Sequence, residues 1–414
     1  MKEPWHDLTL RVVTPAFLGR FDSEDPQLVA APFPVPSLRG VLAYWLRALA
    51  GAHLGNAIGR LHEVESAVFG SARTDESGGP SPIQLRGGRV RLSVLPADRA
   101  HDGMRYLMGP GLTSGGEPPR CLTPGPLELR IRNLGTPASA DLFLAALWAL
   151  RTFGGVGART RRGFGTLAVD HAPSLAVRNF DPAWLGRDAV ADLGPVLSCV
   201  AATMGDIGVT STTADRGRAI DDLPRYPCFA AGRYRFSPDD EDQLQGTAGD
   251  WRAPLDNAGT WLWGFRHGAS RRIPGSQPPS GTHSQTYNDV VQPFLNHVHG
   301  HHGQAGPLTA AALGLPIPYT DHQGPRGTDG KPAQRKATVN VEVDGQPARR
   351  ASPLWLRVHH DGTAWRLRSL AFHSEWLPPE PRTRLTISSG PRSAQLSRPT
   401  SQQIDAELDR WFDA

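Results

Sequence analysis

Lysine is nearly absent from this 414-residue chain. Lys2, Lys331 and Lys336 are the only three, so 41 of the 44 basic residues are arginine. Cysteine is equally scarce: Cys121, Cys199 and Cys228 stand far apart. That excludes a disulfide scaffold and offers no CxxC pair for zinc. No apolar run approaches the roughly 20 residues that span a bilayer. The opening residues, MKEPWHDLTL, hold no apolar stretch of signal-peptide type. A soluble, cytoplasmic protein with no membrane partner is expected.

What is present reads as globular. Apolar residues make up 39% and charged residues 20%, in a length that suits one large or two ordinary domains. Glycine (45) and proline (38) fill about a fifth of the chain, so loops are long and numerous. The formal net charge is +4. Residues 1–175 carry 19 basic and 15 acidic groups, and the remainder is balanced at 25 of each. Two stretches are locally basic, 120–165 and 331–368. A GC-rich genome explains a surplus of arginine without any function. Arginine also forks onto phosphates and stacks on bases better than lysine does. Position therefore has to decide between the two.

The first half has the pattern of an α+β unit. Leu8 to Val13 reads as a strand ended by Thr14-Pro15. Ser37 stands where a helix cap is wanted. Leu38, Val41, Leu42, Trp45, Leu46 and Leu49 then form an apolar stripe, with Gly51 as the stop. A second helix is expected over 56–69. A strand pair is expected over 83–95 with a Gly87-Gly88 turn, then a strand at Leu127 to Arg132, an apolar helix from Ser139 to Phe153, and a strand from Phe164 to Asp170. This βαββαβ order is that of a ferredoxin-like, RRM-like domain. Downstream, one helix is expected near 187–204, and the tail from Ser401 to Phe412 patterns as an amphipathic helix.

The most informative segment is FGGVGARTRRGFG, Phe153 to Gly165. It lacks the GK[ST] of a P-loop and fails GxGxxG. It also runs from a helix into a strand, the reverse of a Rossmann loop. A nucleotide cofactor is therefore not expected. Gly155, Gly157 and Gly163 permit close backbone approach, and Arg159, Arg161 and Arg162 supply three phosphate forks within four positions. A glycine-capped helix followed by an exposed basic turn is the structural alternative.

The segment GGVGARTRRGFGTL resembles the glycine-rich loop of the RAMP superfamily, the RNA-binding proteins of CRISPR systems. PSLRGVLAYWLRALAG, AVFGSA and LTLRVVTPAFLG resemble the first-subunit family of type III-B Cmr effector complexes. So do AALGLPIPY and RRASPLWLRV in the second half. Residues 176–305 match poorly. The resemblance implies two tandem ferredoxin-like RAMP domains with long loop insertions, residues 1–175 and 176–414. It implies a non-catalytic RNA-binding subunit that holds the 3′ region of the guide RNA and helps capture target RNA beside other Cmr subunits. It implies no nucleotide cofactor. It also tilts Arg39, at the head of the SLRG helix, towards phosphate contact. Arg349 and Arg350, which precede a strand, are further RNA-binding candidates.

Other readings compete. Asp22, Glu24 and Asp25 could hold a divalent ion for phosphodiester cleavage, making the chain a metal-dependent endoribonuclease. A metal-free RNA-processing RAMP enzyme would carry its glycine-rich loop near the C-terminus, but here about 250 residues follow it. A pure protein scaffold would bind partners and no RNA. The run His297, His299, His301 and His302 has zinc-like spacing, but no cysteine or acid lies close by, and a surface tract is expected. Trp261, Trp263 and Phe265 alternate as core residues do, with base stacking as the alternative.

Overall fold

The computed structural model describes residues 3–18, 30–71, 79–95, 102–109, 120–187, 189–210, 223–237, 250–267, 307–321, 335–360, 363–378 and 381–413. Asp22, Asp25 and the run His297 to His302 lie outside the described residues. In chain order the elements are β1 (His6–Val12), β2 (Ala30–Pro32), α1 (Val35–Leu54), α2 (Ile58–Phe69), β3 (Ile83–Gly87), β4 (Arg89–Val94), α3 (Asp102–Met108), β5 (Arg120–Leu122), β6 (Gly125–Asn133), α4 (Pro137–Phe153) and β7 (Leu167–His171). Next come α5 (Leu193–Asp206), β8 (Tyr234–Phe236), α6 (Arg252–His267), β9 (Ile317–Asp321), β10 (Arg335–Val343) and β11 (Gln346–Ala348). The chain ends with β12 (Leu354–His360), β13 (Trp365–Phe372), β14 (Thr383–Ser389), β15 (Arg392–Leu396) and α7 (Ser401–Phe412).

The chain folds as a mixed α/β protein with antiparallel sheets. It divides into two compact units. One holds residues 1–259 and 355–372, the other 260–354 and 373–414. The division follows packing rather than the linear boundary at residue 175, because β12 and β13 return to the first unit.

In the first unit the main sheet runs β3-β6-β1-β7, with each neighbouring pair antiparallel. This is the strand order that the βαββαβ reading implies, with β1 and β6 central. Leu8, Leu10 and Val12 face the helices and are buried. The opposite face is polar and carries the ion pairs Arg11–Asp170 (3.1 Å) and Arg130–Asp7 (3.5 Å). Period-two alternation has sorted the two faces.

Three local expectations need correction. Ser37 does not cap α1: the helix begins at Val35, with Pro36 in its first turn and Ser37 N–H bonded to Pro34 O (3.0 Å). Proline is tolerated there because its missing N–H has no intrahelical partner anyway. Gly51 does not end α1, which runs on to Leu54. A Cβ at Gly51 would lie 2.7 Å from Cys228 Cβ and 2.9 Å from the Tyr226 ring, so this glycine serves packing. The Gly87-Gly88 pair does not close a hairpin. β4 leaves the main sheet and pairs with β2 and β5, held at the turn by Phe33 N–H to Gly88 O (3.0 Å).

α4 is buried on every side from Ala138 to Phe153. It packs against α1 and α5, and Trp45, Phe153, Phe229, Trp355 and Phe372 form one aromatic cluster beside it. Trp45 lies 5.0 Å from Trp355 and 6.0 Å from Phe153, and Phe229 lies 5.0 Å from Phe372. Each such pair adds about 0.5–1.5 kcal/mol beyond its area burial. Asp141 sits fully buried in α4. Its carboxylate accepts from the N–H groups of Arg178, Asn179 and Phe180 at 3.0–3.1 Å.

All three cysteines are free and buried. Burial pushes the thiols of Cys121 and Cys199 up to about 12 and that of Cys228 to about 11. Buried thiols of this kind are unreactive.

In the second unit β10 pairs with β9, β11 and β14, and β14 pairs with β15. The tail helix α7 has the predicted bounds. Thr400 caps it: its Oγ1 accepts from Gln403 N–H (3.2 Å) and Gln403 Oε1 accepts from Thr400 N–H (2.9 Å). Ile404, Leu408 and Trp411 are buried, and Trp411 packs edge-on to Phe265 at 5.5 Å. The helix therefore docks on its own unit. Among the described residues no helix is long and apolar enough to cross a membrane.

Candidate nucleic-acid interface

The loop between α4 and β7 is fastened from several directions. Val156 N–H bonds Gly165 O (2.8 Å), Gly165 N–H bonds Pro15 O (2.9 Å), and Ala158 N–H bonds Phe17 O (2.7 Å). Thr14 Oγ1 donates to Gly163 O (2.7 Å), and Leu356 N–H donates to Arg161 O (3.2 Å). The ring of Phe164 packs on Phe17 at 5.1 Å.

These contacts account for the glycines. A Cβ at Gly155 would sit 2.7 Å from Gly165 O, one at Gly157 2.6 Å from Phe17 O, and one at Gly163 2.7 Å from Leu255 Cδ1. Gly157, Gly163 and Gly165 also have positive φ. The space that glycine opens is filled by this chain's own atoms.

The arginines project from that rigid base. Arg159 is exposed and held at φ 64°, a left-handed backbone that non-glycine residues seldom adopt. Its carbonyl accepts from Arg162 N–H (2.8 Å) and Phe164 N–H (3.4 Å), which fixes the turn. Partial burial of its head next to Gly109 lowers the guanidinium below the ordinary arginine value, and it remains a cation. Arg161 lies over the Trp355 ring at 4.7 Å and the Tyr44 ring at 5.9 Å. Arg162 is half-buried and bridges to Leu356. Strain stored at a fastened, cationic turn is a recognised mark of functional loops.

The other candidate arginines divide. Arg39 is committed to the fold: its Nη2 donates to Phe69 O (2.6 Å) at the end of α2. Arg349 is exposed in the second unit. Arg350, half-buried there, donates to Glu375 O (3.4 Å) and pairs through its backbone with Leu315. The basic stretch 331–368 is not a continuous surface patch. Arg357 and Arg368 are buried in the first unit, bonded to Leu167 O and Thr152 O at 3.1 Å each. Trp261 packs near Trp411 at 6.4 Å and Phe265 is fully buried, which favours the core reading.

Sequence reasoning missed the aromatic shelf of Tyr44 and Trp355 beneath Arg161. Tyr44 lies on the apolar α1 and Trp355 some 200 residues after the loop. Only the return of β12 to the first unit joins them. Among the described residues no three His, Cys, Asp or Glu side chains converge as a metal-binding group.

Residues 9–168 match the family model described as the RAMP superfamily. Over 141 residues the chain is 32% identical to the CRISPR system Cmr subunit Cmr1-1 of Pyrococcus furiosus, covering 34% of this chain and 41% of that protein. Over 64 residues it is 42% identical to Cmr1-2 of the same organism, covering 16% of this chain and 32% of that one. The chain thus matches less than half the length of these curated relatives. Its fold is similar to the crystal structure of Cmr1 from Pyrococcus furiosus in the apo form. That match has a TM-score of 0.52 at 18% identity and covers 92% of this chain and 91% of the other.

Proposed function

We propose, on the premise that residues 9–168 are a RAMP-superfamily region, that this chain is an RNA-binding subunit of a type III-B CRISPR Cmr complex. It holds the 3′ region of the guide RNA, helps capture target RNA beside other Cmr subunits, and works in the cytoplasm. The observation that carries the reading is the fastened loop displaying Arg159, Arg161 and Arg162 within the superfamily match. Similarity to the Cmr1 relatives supports the complex. Fold likeness over most of the chain supports a tandem pair of RAMP domains. Arg349 and Arg350 are secondary contacts in this reading, Arg39 being engaged with Phe69 O, and Gly155, Gly157 and Gly163 shape the loop.

The test is direct. Arg159→Asn, Arg161→Ala and Arg162→Ala are combined in the full chain, asparagine being chosen because it tolerates the left-handed backbone. Affinity for a single-stranded RNA guide is expected to fall. Each lost phosphate contact removes about 0.7 from the salt slope, so the slope should flatten by about 2. Unchanged affinity and slope would sink the proposal.

The subunit binds RNA without cutting it. Target RNA incubated with the purified chain and Mg²⁺ or Mn²⁺ is expected to stay intact. Cleavage that disappears in Asp25→Ala would replace this reading with the metal-dependent one.

A further inference from the structure

A cavity of about 430 Å³ opens beside the same loop, between α1, the start of α2 and the segment 223–229. It falls within the usual range of ligand pockets, about 300–1,000 Å³. Two tyrosines, Tyr44 and Tyr226, line it together with Leu61, and Ile58 stands half-exposed at its edge. Arg47, Arg225 and Glu65 supply the charge. The chemistry is therefore aromatic and apolar surface, one carboxylate, two guanidinium groups and the imidazole of His62.

The pocket is preformed. Tyr226 donates its hydroxyl to Gly55 O. Burial holds that phenol well above its ordinary range, so it stays neutral. Asn56 pins the opposing segment: its Oδ1 accepts from Arg225 N–H (2.8 Å) and its Nδ2 donates to Leu223 O (3.3 Å). Phe229 N–H bonds Ala48 O (2.9 Å). Glu65 is placed by Arg47 at 3.6 Å, with one carboxylate oxygen engaged. Tyr44 connects the pocket to the loop, since its ring also lies beneath Arg161.

We infer that this pocket seats one nucleobase of the bound RNA strand. The ring packs against Tyr44, an exocyclic amino group donates to Glu65, and Arg47 and Arg225 take the flanking phosphates. The inference rests on the RNA-binding reading above and adds a position-specific seat to it. A carboxylate accepts an amino donor and repels a carbonyl oxygen, so guanine, adenine and cytosine are favoured there over uracil.

The probe is a 12-residue oligouridine carrying a single central 2-aminopurine, titrated with the full chain. Binding is expected to quench the 2-aminopurine emission. Ile58→Trp, at an exposed edge position, fills the entrance without touching the core and should abolish the quench. It should also lower affinity about tenfold, the size of one lost base stack. Glu65→Gln should reduce the preference for the 2-aminopurine strand over plain oligouridine. An oligonucleotide that binds with unaltered emission overturns the base seat and leaves the RNA-binding reading standing. One that does not bind overturns both. Saturable quenching of free 2-aminopurine riboside monophosphate, without capture of the strand, also overturns the inference by assigning the pocket to a free nucleotide.

Discussion

Gly165→Ala is expected to destabilise the first unit by about 2–5 kcal/mol, read as a large drop in the urea midpoint at constant m-value. Two costs combine. Gly165 has φ 68°, where a side chain costs about 1–2 kcal/mol. A Cβ there would also lie 1.9 Å from Val156 O, and Val156 is the partner whose N–H bonds Gly165 O. Backbone meets backbone, so no rotamer change relieves the clash, and overpacking adds about 1–3 kcal/mol. A loss of this size is a large part of the about 5–15 kcal/mol that keeps a domain folded. Gly208→Ala is the control. Gly208 has φ 77° with open space around it, so only the backbone cost of about 1–2 kcal/mol applies. Equal losses in the two variants would show that packing of the Gly/Arg loop contributes nothing.

Asp141→Ala is expected to cost about 3–5 kcal/mol by the same measurement. The buried carboxylate satisfies three consecutive N–H groups, those of Arg178, Asn179 and Phe180. Alanine leaves all three without their acceptor, and each buried orphan costs about 1–3 kcal/mol. Partial entry of water and the better helix propensity of alanine, about 0.5 kcal/mol, pull the total below the simple sum. Asp141→Asn keeps one acceptor oxygen and turns an NH₂ towards the donors, so a smaller loss is expected. A loss under about 1 kcal/mol for Asp141→Ala would show that the segment 178–180 does not depend on this carboxylate.

Much of the fold is legible in the sequence because its signals are local. The stripe Leu38 to Leu49 is a helix face, the tail Ser401 to Phe412 is a helix with the predicted bounds, and β1 alternates in period two. The failures are non-local. Ser37 looked like a cap because its chemistry fits one, but Pro34 O and the first-turn proline had already started the helix. Gly51 looked like a stop, yet its reason is Tyr226 and Cys228, far along the chain. Arg357 and Arg368 add to the basic stretch 331–368 in the sequence, but in β12 and β13 both side chains are buried. The Gly/Arg loop was found by its composition. Composition did not show that its glycines make room for Phe17, Val156 and Gly165 rather than for a ligand, nor that Arg161 rests on a tryptophan two hundred residues away.

The return of β12 and β13 to the first unit also sets a schedule for synthesis. Trp45, near the start of the chain, packs on Trp355 and Phe372. A nascent chain that has emerged through β7 holds the whole main sheet and the Gly/Arg loop, yet one wall of its aromatic core is still missing and Arg161 has no indole beneath it. The first unit reaches its final packing only after most of the second has left the ribosome. Long-range closure of this kind folds slowly and leaves apolar surface uncovered in the interval. The Gly/Arg loop is thus among the earliest parts to be made and among the last to be supported.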